Sequence, residues 1–511
     1  MLDATRPDLI VGIVGTGTMG RGIAQIMAAA GATVRLLDSR EGAAADARDT
    51  LAAIFAMLAE KGRMKAEAAA AAAARLVPAI SDEEFAGCHV VVEAIVEDLA
   101  AKRALFSWLE PIVGDTCILA TNTSSLSVTA IAAGCRRPER VAGFHFFNPV
   151  PLMRVVEVVP GALTAPWVVD ALAVLAERAG HAPVRAADTP GFVVNHAGRG
   201  FGTEALRVLQ EGVGSPAEVD GILRDAAEFR MGPFELLDLI GLDVSQPVME
   251  SIYRQFYDEP RFRPSYLLRQ RLEAGLLGRK TGRGFYAYED GKPVPAPRTP
   301  AAAPAARPVW IGACHEPAAA GALADLVRAA GWPVDEGQTP ADASLIVTAP
   351  LGHDATTTAL ANGLAPSRLV AVDTLFGLAR RRTVMVNPAT LPEFRDAAAA
   401  LFAADGTPVT LIDDSPGFVA QRVVATIVNI ACDIAQNRIA SPADIDTAVR
   451  LGLGYPHGPL AWGDRLGPAR VLAVLEALQT ATGDPRYRPS LWLSRRARLG
   501  LSLLAGEAAR R

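Results

Sequence analysis

Six residues constrain this chain more than any others: Gly15-Thr16-Gly17-Thr18-Met19-Gly20. An apolar run at 9–14 precedes them, a helical stretch at 21–30 follows, and a second apolar run at 33–37 ends at Asp38. Strand, glycine loop, helix, strand and acid make a βαβ unit. At this spacing Gly15 permits a tight turn, Gly17 lets backbone approach a pyrophosphate, and Gly20 lets helix and strand pack closely. Amides at the helix N-terminus, from Thr18 and Met19 onward, are then candidates to hold phosphates. Asp38 is placed to accept hydrogen bonds from ribose hydroxyls. Its charge disfavours a 2′-phosphate, so NAD is expected over NADP, although the nearby Arg40 leaves that preference open. A structural turn followed by an ordinary surface Asp is the plainer alternative.

Further strands are expected at 89–95, 116–120 and 141–147, alternating with helical segments at 99–110 and 126–133. Residues 46–75 form an Ala-rich helical stretch, broken near Gly62-Arg63, that reads as an antiparallel pair projecting from the sheet. Such alternation implies a mostly parallel, doubly wound α/β sheet. The 511 residues leave room for two to four domains of roughly 100–200 residues each. Half are hydrophobic and 21% charged, and the net charge of −5 argues against a nucleic-acid partner. Five scattered cysteines (Cys88, Cys117, Cys135, Cys314, Cys432) show no metal-ligand spacing; no metal, no disulfide and a reducing cytoplasm are expected. The segment 1–8 carries acids and no apolar core, so no secretory leader is expected. No apolar run reaches the ~18–20 residues of a membrane span.

The chain repeats itself. Asp188-Thr189-Pro190-Gly191-Phe192-Val193 returns as Asp414-Ser415-Pro416-Gly417-Phe418-Val419, and Pro260-Arg261-Phe262-Arg263-Pro264-Ser265 as Pro485-Arg486-Tyr487-Arg488-Pro489-Ser490. A period this long means duplication of a whole domain. Five segments follow: an α/β domain at 1–187, an all-α domain at 188–288, a Pro/Ala-rich linker at 289–307, a degenerate α/β domain at 308–412 and a second all-α domain at 413–511. In the degenerate half, Val384-Met385-Val386-Asn387-Pro388 is expected to take the place of His145-Phe146-Phe147-Asn148-Pro149, with Val384 in place of the histidine.

That histidine is the strongest chemical signal. His145 and Glu157 stand on two apolar runs joined by a Pro-rich turn, so imidazole and carboxylate are expected to face each other across paired strands. Each alone reads as well as a core or solvated residue. Behind a dinucleotide loop, the pair reads as a base that takes a hydroxyl proton and an acid that fixes its tautomer. Thr121-Asn122-Thr123-Ser124-Ser125-Leu126 follows a strand at the ligand-bearing edge, suited to hydrogen-bonding a substrate oxygen, or simply to capping the next helix. Glu93 and Glu97 end another strand there, where two solvated acids are the plain alternative. Lys280-Thr281-Gly282-Arg283-Gly284-Phe285-Tyr286 reads as a glycine-rich basic turn, suited to touching phosphates or simply to forming a tight loop, the loop being the preferred reading.

Taken together with Pro190-Gly191-Phe192-Val193-Val194-Asn195, these elements over 9–288 resemble the 3-hydroxyacyl-CoA dehydrogenase family. The duplicated tail resembles its long bacterial members, most of all those of phenylacetate breakdown, which act on 3-hydroxyadipyl-CoA. The resemblance implies NAD-dependent oxidation of (S)-3-hydroxyacyl-CoA to 3-oxoacyl-CoA, in phenylacetate or fatty-acid catabolism. It implies His145 as base with Glu157 as partner, Ser124 and Asn195 at the substrate's 3-oxygen or thioester, and Asn148 in support. It places Glu97, Lys102 and Asn122 near NAD, and Lys61 and Lys65 as candidates for CoA. Gln421 departs from the family's Asn in the second Pro-Gly-Phe motif, so one active site per chain is expected, with either a homodimer or an intrachain pseudo-dimer. The rival readings are a dehydrogenase of free 3-hydroxy or sugar acids, and a non-catalytic NAD-binding scaffold.

Overall fold

A computed structural model describes residues 2–79, 81–294 and 305–506. Its contacts divide the chain into two compact units, Met1–His196 with Asn437–Gly454, and Ala197–Gln436 with Tyr455–Arg511. In the first unit eight strands form one sheet: β1 (Ile10–Val14), β2 (Thr33–Leu37), β3 (Leu76–Pro78), β4 (Val90–Glu93), β5 (Ile118–Thr121), β6 (Val141–Phe146), β7 (Val155–Pro160) and β8 (Ala182–Arg185), in the order 3-2-1-4-5-6-7-8. β1 to β6 run parallel. β7 turns back antiparallel to β6, and β8 runs with β7. The connecting helices are α1 (Thr18–Ala29), α2 (Ala43–Glu60), α3 (Ala66–Ala74), α4 (Leu99–Leu109), α5 (Val128–Ala132) and α6 (Pro166–Arg178). Buried on both faces, β4, β5 and β6 are almost wholly apolar, as parallel strands under two helix layers must be. The strand order reverses between β1 and β4, and at that switch point an open α/β sheet offers its ligand crevice.

Three local features depart from the sequence reading. The short strands β3 and β8 were not foreseen. The α2–α3 pair does not stand clear of the sheet: Leu51, Phe55, Ala69 and Ala72 join the same core as β1 and β2. One further helix of this unit, Pro442–Gly452, comes from far down the chain and packs on β7 and β8.

The second unit contains a hairpin, β9 (Tyr288–Glu289) with β10 (Lys292–Pro293), and a second sheet. The proline-rich residues 295–304 lie outside the described residues. The second sheet holds β11 (Val309–Cys314), β12 (Val334–Asp335), β13 (Leu345–Ala349), β14 (Leu369–Val372), β15 (Arg382–Val386) and β16 (Val409–Ile412), in the order 12-11-13-14-15-16. Its edge repeats that of the first sheet. β15 is antiparallel to β14 and β16 parallel to β15, as β7 is to β6 and β8 to β7. Asp414 after β16 accepts from Ala355 N and Thr356 N, as Asp188 after β8 accepts from Val128 N and Thr129 N. β13 therefore matches β5. The chain passes straight from β12 to β13, where the first sheet inserts α2, α3, β3, β4 and α4.

Helices Arg199–Gln210 and Ala420–Gln436 pack together so closely that a Cβ on Gly200 would come 3.2 Å from Ile427 Cα. Their contacts are reciprocal. Arg263 pairs with Asp484 at 3.8 Å and Arg488 with Glu259 at 3.5 Å. Arg261 donates to the Arg488 carbonyl and Arg486 to the Arg263 carbonyl. Residue i of one copy thus meets j of the other and the reverse, the signature of an isologous interface, here within one chain. At its centre the fully buried Arg422 donates to Glu204, Glu211 and Tyr487, which answers a charge that could not otherwise be buried.

Candidate active site

The glycine loop joins β1 to α1 with each glycine in its expected duty. Gly15 has φ +93, and a Cβ there would lie 2.6 Å from the Ala94 carbonyl oxygen; one on Gly20 would lie 1.8 Å from the Gly15 oxygen. Around Gly17 nothing lies within 4 Å, so the loop is open where a pyrophosphate must approach. α1 begins without a side-chain cap or an acid in its first turn, which leaves its amides to an anion. Asp38 accepts from Thr16 N at 2.8 Å, Thr16 Oγ1 at 2.7 Å and Arg40 N at 3.0 Å. Burial alone would raise its carboxyl, but these donors outweigh it and hold it down at about 2. A fixed anion beside the ribose position suits NAD. These features fit the cofactor.

Glu93 and Glu97 are not two solvated acids. Glu93 is fully buried and accepts from Lys102 Nζ at 2.5 Å, Ile95 N at 2.8 Å and Thr121 Oγ1 at 2.7 Å. Lys102, also buried, lies 3.3 Å from Glu97. Glu97 in turn collects Thr123 Oγ1 at 2.8 Å, Ser124 N at 2.9 Å and Ser125 N at 3.0 Å. Partial burial works against its charge, yet Lys102 and these donors keep its carboxyl below the usual range. Three charges gathered from β4, the loop after it and α4 thus fix the loop that carries Ser124. Glu93 was the residue underrated in the sequence. Its signal was an acid inside the run Val90-Val91-Val92, which burial obliges to find a cation. Asn122 Oδ1 accepts from Phe146 N at 2.8 Å and ties this loop to β6.

His145 and Glu157 stand directly opposite each other in the β6–β7 register. Nδ1 of His145 lies 2.7 Å from Glu157 Oε2. The other carboxylate oxygen accepts from Val193 N at 2.8 Å and Val194 N at 2.9 Å. Those amides are aimed by a turn in which Gly191 and Phe192 both hold positive φ (75° and 48°), a conformation that a phenylalanine adopts only under constraint. The His145 ring lies against Phe147 and Phe192, with centroids at 4.4 and 5.8 Å. A carboxylate only accepts, so Nδ1 is the donor of this bond, and in the neutral imidazole that leaves Nε2 as the acceptor.

A cavity of about 330 Å³ opens in front of this pair, walled by Met19, Glu97, Lys102, Asn122, Ser124, His145 and Asn148, with Ala94, Ile95, Phe146 and Phe147. Seven residues expected at the site therefore share one wall. Glu157 lies behind His145. Asn195 is half-buried in the short helix Val194–Ala197, directly after the amides that hold Glu157, and is not among the cavity's walls. The Lys280–Tyr286 loop is structural: Phe285 N and Tyr286 N donate to Asp238, and the Tyr286 hydroxyl donates to Asp220.

In the second sheet the expected correspondence needs correction. Val384 lies on β15, the counterpart of β7, so it does not replace His145. Counted from the matching turns Pro138–Arg140 and Pro366–Arg368, the histidine position falls on Asp373. Counted from the β7–β8 and β15–β16 registers, Glu157 falls on Met385, since Glu157 faces Val184 and Met385 faces Ile412. Gln421, at the position of Asn195, donates to Asp373 at 2.9 Å. Burial pushes the Asp373 carboxyl up to about 6.

An open glycine loop, an anionic Asp38 and the buried His145–Glu157 pair in one unit suit an NAD-dependent oxidoreductase. Comparison with known proteins narrows this. The NAD binding domain of 3-hydroxyacyl-CoA dehydrogenase matches residues 10–189, and the C-terminal domain of the same family matches twice, at 191–288 and 417–507. The 3-hydroxyadipyl-CoA dehydrogenase of Escherichia coli K12 is 39% identical over 495 residues, covering 96% of this chain and 97% of that one. A probable 3-hydroxybutyryl-CoA dehydrogenase of Bacillus subtilis is 40% identical over 278 residues, 54% of this chain and 96% of its own. The crystal structure of 3-hydroxybutyryl-CoA dehydrogenase from Escherichia coli K12 superposes with a TM-score of 0.83 at 36% identity, covering 96% and 98% of the two chains. The chain belongs to the 3-hydroxyacyl-CoA dehydrogenase family. Among the described residues, no helix is long and apolar enough to cross a membrane.

Proposed function

We propose that the first unit oxidises (S)-3-hydroxyacyl-CoA to 3-oxoacyl-CoA, with His145 as the general base. The observation that carries this reading is the Nδ1–Glu157 hydrogen bond at 2.7 Å on an imidazole that lines the cavity. His145 Nε2 takes the proton of the 3-hydroxyl. Glu157, held by Val193 N and Val194 N, keeps the proton on Nδ1 and steadies the imidazolium as it forms. Ser124, on the loop fixed by Glu97, orients the substrate oxygen, with Asn148 and Asn195 supporting the same end. NAD, when bound along Gly15–Gly20 and Asp38, supplies the hydride acceptor. Phe147 and Phe192 exclude water from the imidazole.

The acyl group is held as a CoA thioester. Lys61 and Lys65, exposed in and beside the α2–α3 turn, are the candidates for its phosphates. The substrate class follows the full-length relatives, whose names give 3-hydroxyadipyl-CoA and 3-hydroxybutyryl-CoA. A place in phenylacetate or fatty-acid catabolism, in the cytoplasm, agrees with both. The reciprocal contacts between the two helical copies make an intrachain pseudo-dimer the reading of its assembly.

Steady-state reduction of 3-oxoacyl-CoA by NADH tests the assignment. Acetoacetyl-CoA is expected to react and free acetoacetate to be inert. His145→Gln is expected to bind NADH normally and to lose roughly 100- to 10,000-fold in kcat. An unchanged kcat in that variant contradicts the base assignment. Equal turnover of free acetoacetate contradicts the thioester substrate.

A further inference from the structure

The second sheet has a cavity of its own at the corresponding edge. The chain leaving β14 lines a space of about 170 Å³ with Leu375 and Phe376. Counted from the paired turns, these stand where Phe147 and Asn148 wall the first cavity. The space is not a dinucleotide seat. Its volume is well below the ~300 Å³ at which ligand pockets for drug-sized molecules begin. β11 is not followed by a three-glycine loop, and the helix after it opens with Glu316-Pro317, a carboxylate where a phosphate would be needed.

Its walls differ from the first copy in one consistent way. At the repeat spacing of 226, Arg465 and Arg470 stand where the first helical copy has Leu239 and Val244, on either side of the paired glycines Gly241 and Gly467 (φ 98° and 94°). Arg470 is answered by Glu316, 2.6 Å from its Nε. Glu228, also on the wall, is answered by Arg380 at 3.2 Å, with His457 at 3.6 Å. Arg465 has no ion pair among the described residues; its Nη1 donates to His457 Nε2 at 2.7 Å. The cavity thus offers one guanidinium without a carboxylate, above an apolar wall of Leu375, Phe376, Trp462 and Leu466. A guanidinium pressed against an imidazole is a poor substitute for an anion.

We propose that this cavity is a second ligand site, one that binds a short organic carboxylate. The carboxylate pairs with Arg465, and the hydrocarbon body lies against Phe376 and Trp462. Arginines at two positions that are apolar in the first helical copy give this cleft its cationic character.

Calorimetric titration of the full chain with butyrate tests this. One butyrate is expected per chain, retained when NADH saturates the first unit and in His145→Gln, so the outcome is independent of the catalytic assignment. Arg465→Ala, an exposed position that leaves the core untouched, is expected to weaken binding roughly tenfold or more, with the kcat for acetoacetyl-CoA unchanged. Phe376→Ala is expected to weaken butyrate, and inorganic phosphate to compete poorly. Absence of saturable binding, undiminished affinity in Arg465→Ala, or phosphate binding as tightly as butyrate would each overturn the proposal.

Discussion

At their far edges the two sheets are nearly interchangeable: a reversed strand, a final parallel strand, an Asp that caps the helix after β5 or β13, and a Pro-Gly-Phe turn with positive φ at both Gly and Phe. They part company where chemistry would need them to agree. The first places an imidazole opposite a carboxylate; the second has Asp373 and Met385, with a Gln421 amide satisfying the Asp and the Met385 sulfur accepting from Ser415 N at 3.1 Å. The first inserts the segment that carries the Glu93–Lys102–Glu97 array; the second omits that segment altogether. The hydrogen bonds of the capping Asp survive in both, because an unpaired buried polar group costs stability wherever it lies. The imidazole–carboxylate pair stands in only one, because nothing in folding demands it. A duplicated scaffold keeps what packing requires, and loses what only catalysis requires.

The largest effect expected from breaking this contrast is at Glu157. Glu157→Gln removes the carboxylate that fixes the His145 tautomer, and kcat for 3-oxoacyl-CoA reduction is expected to fall by about 100-fold or more. Met385→Leu at the matching place is expected to leave kcat within about twofold, since it lies outside any reacting group. Equal losses in the two variants would dissolve the distinction between the sheets.

Next is the charge array that only the first sheet owns. Glu93→Gln leaves Lys102 buried without its nearest partner, and chemical denaturation is expected to record a loss on the order of 3–5 kcal/mol. A loss under about 1 kcal/mol would mean that Glu97 alone carries the lysine.

Asp373 gives a smaller effect with a defined sign. Its folded carboxyl sits near 6, above the ordinary value, so the folded state holds a proton that the unfolded chain releases at lower pH. The associated stability is complete below about pH 4 and is lost as pH rises through 6. Asp373→Asn, which keeps an acceptor for Gln421, is expected to stabilise the protein at pH 8 by on the order of 1–3 kcal/mol and to change little at pH 4. Unfolding midpoints at the two pH values check this, and an effect of the same size at both would contradict it. Smallest is the reciprocal rim. Arg488→Ala removes a half-exposed pair with Glu259 and is expected to cost less than about 1 kcal/mol, with no loss of turnover.

Much of this was readable before any coordinates. Glycines with fixed spacing after an apolar run admit few folds, and the His145–Glu157 pairing follows from two apolar strands and one turn. The degenerate half was harder, for a physical reason. Asn387-Pro388 copies the Asn148-Pro149 dipeptide, but a dipeptide does not say which strand precedes it; only pairing direction separated β15 from β14 and moved the histidine position to Asp373. The missing segment between β12 and β13 left no mark either, since a deletion removes the residues that would have signalled it. Glu93 looked like a strand end because its partner, nine residues on, is brought to it by a helix that spacing alone does not orient.

One measurement addresses the central claim directly, that this chain holds a single dinucleotide site and that the second sheet holds none. Equilibrium titration of the full chain with NADH, followed by nucleotide fluorescence, is expected to give one site per chain. A Cβ built on Gly17 meets no atom within 4 Å, so Gly17→Val is expected to fold normally while blocking that site. Two NADH per chain, or a site that survives Gly17→Val, would contradict the account.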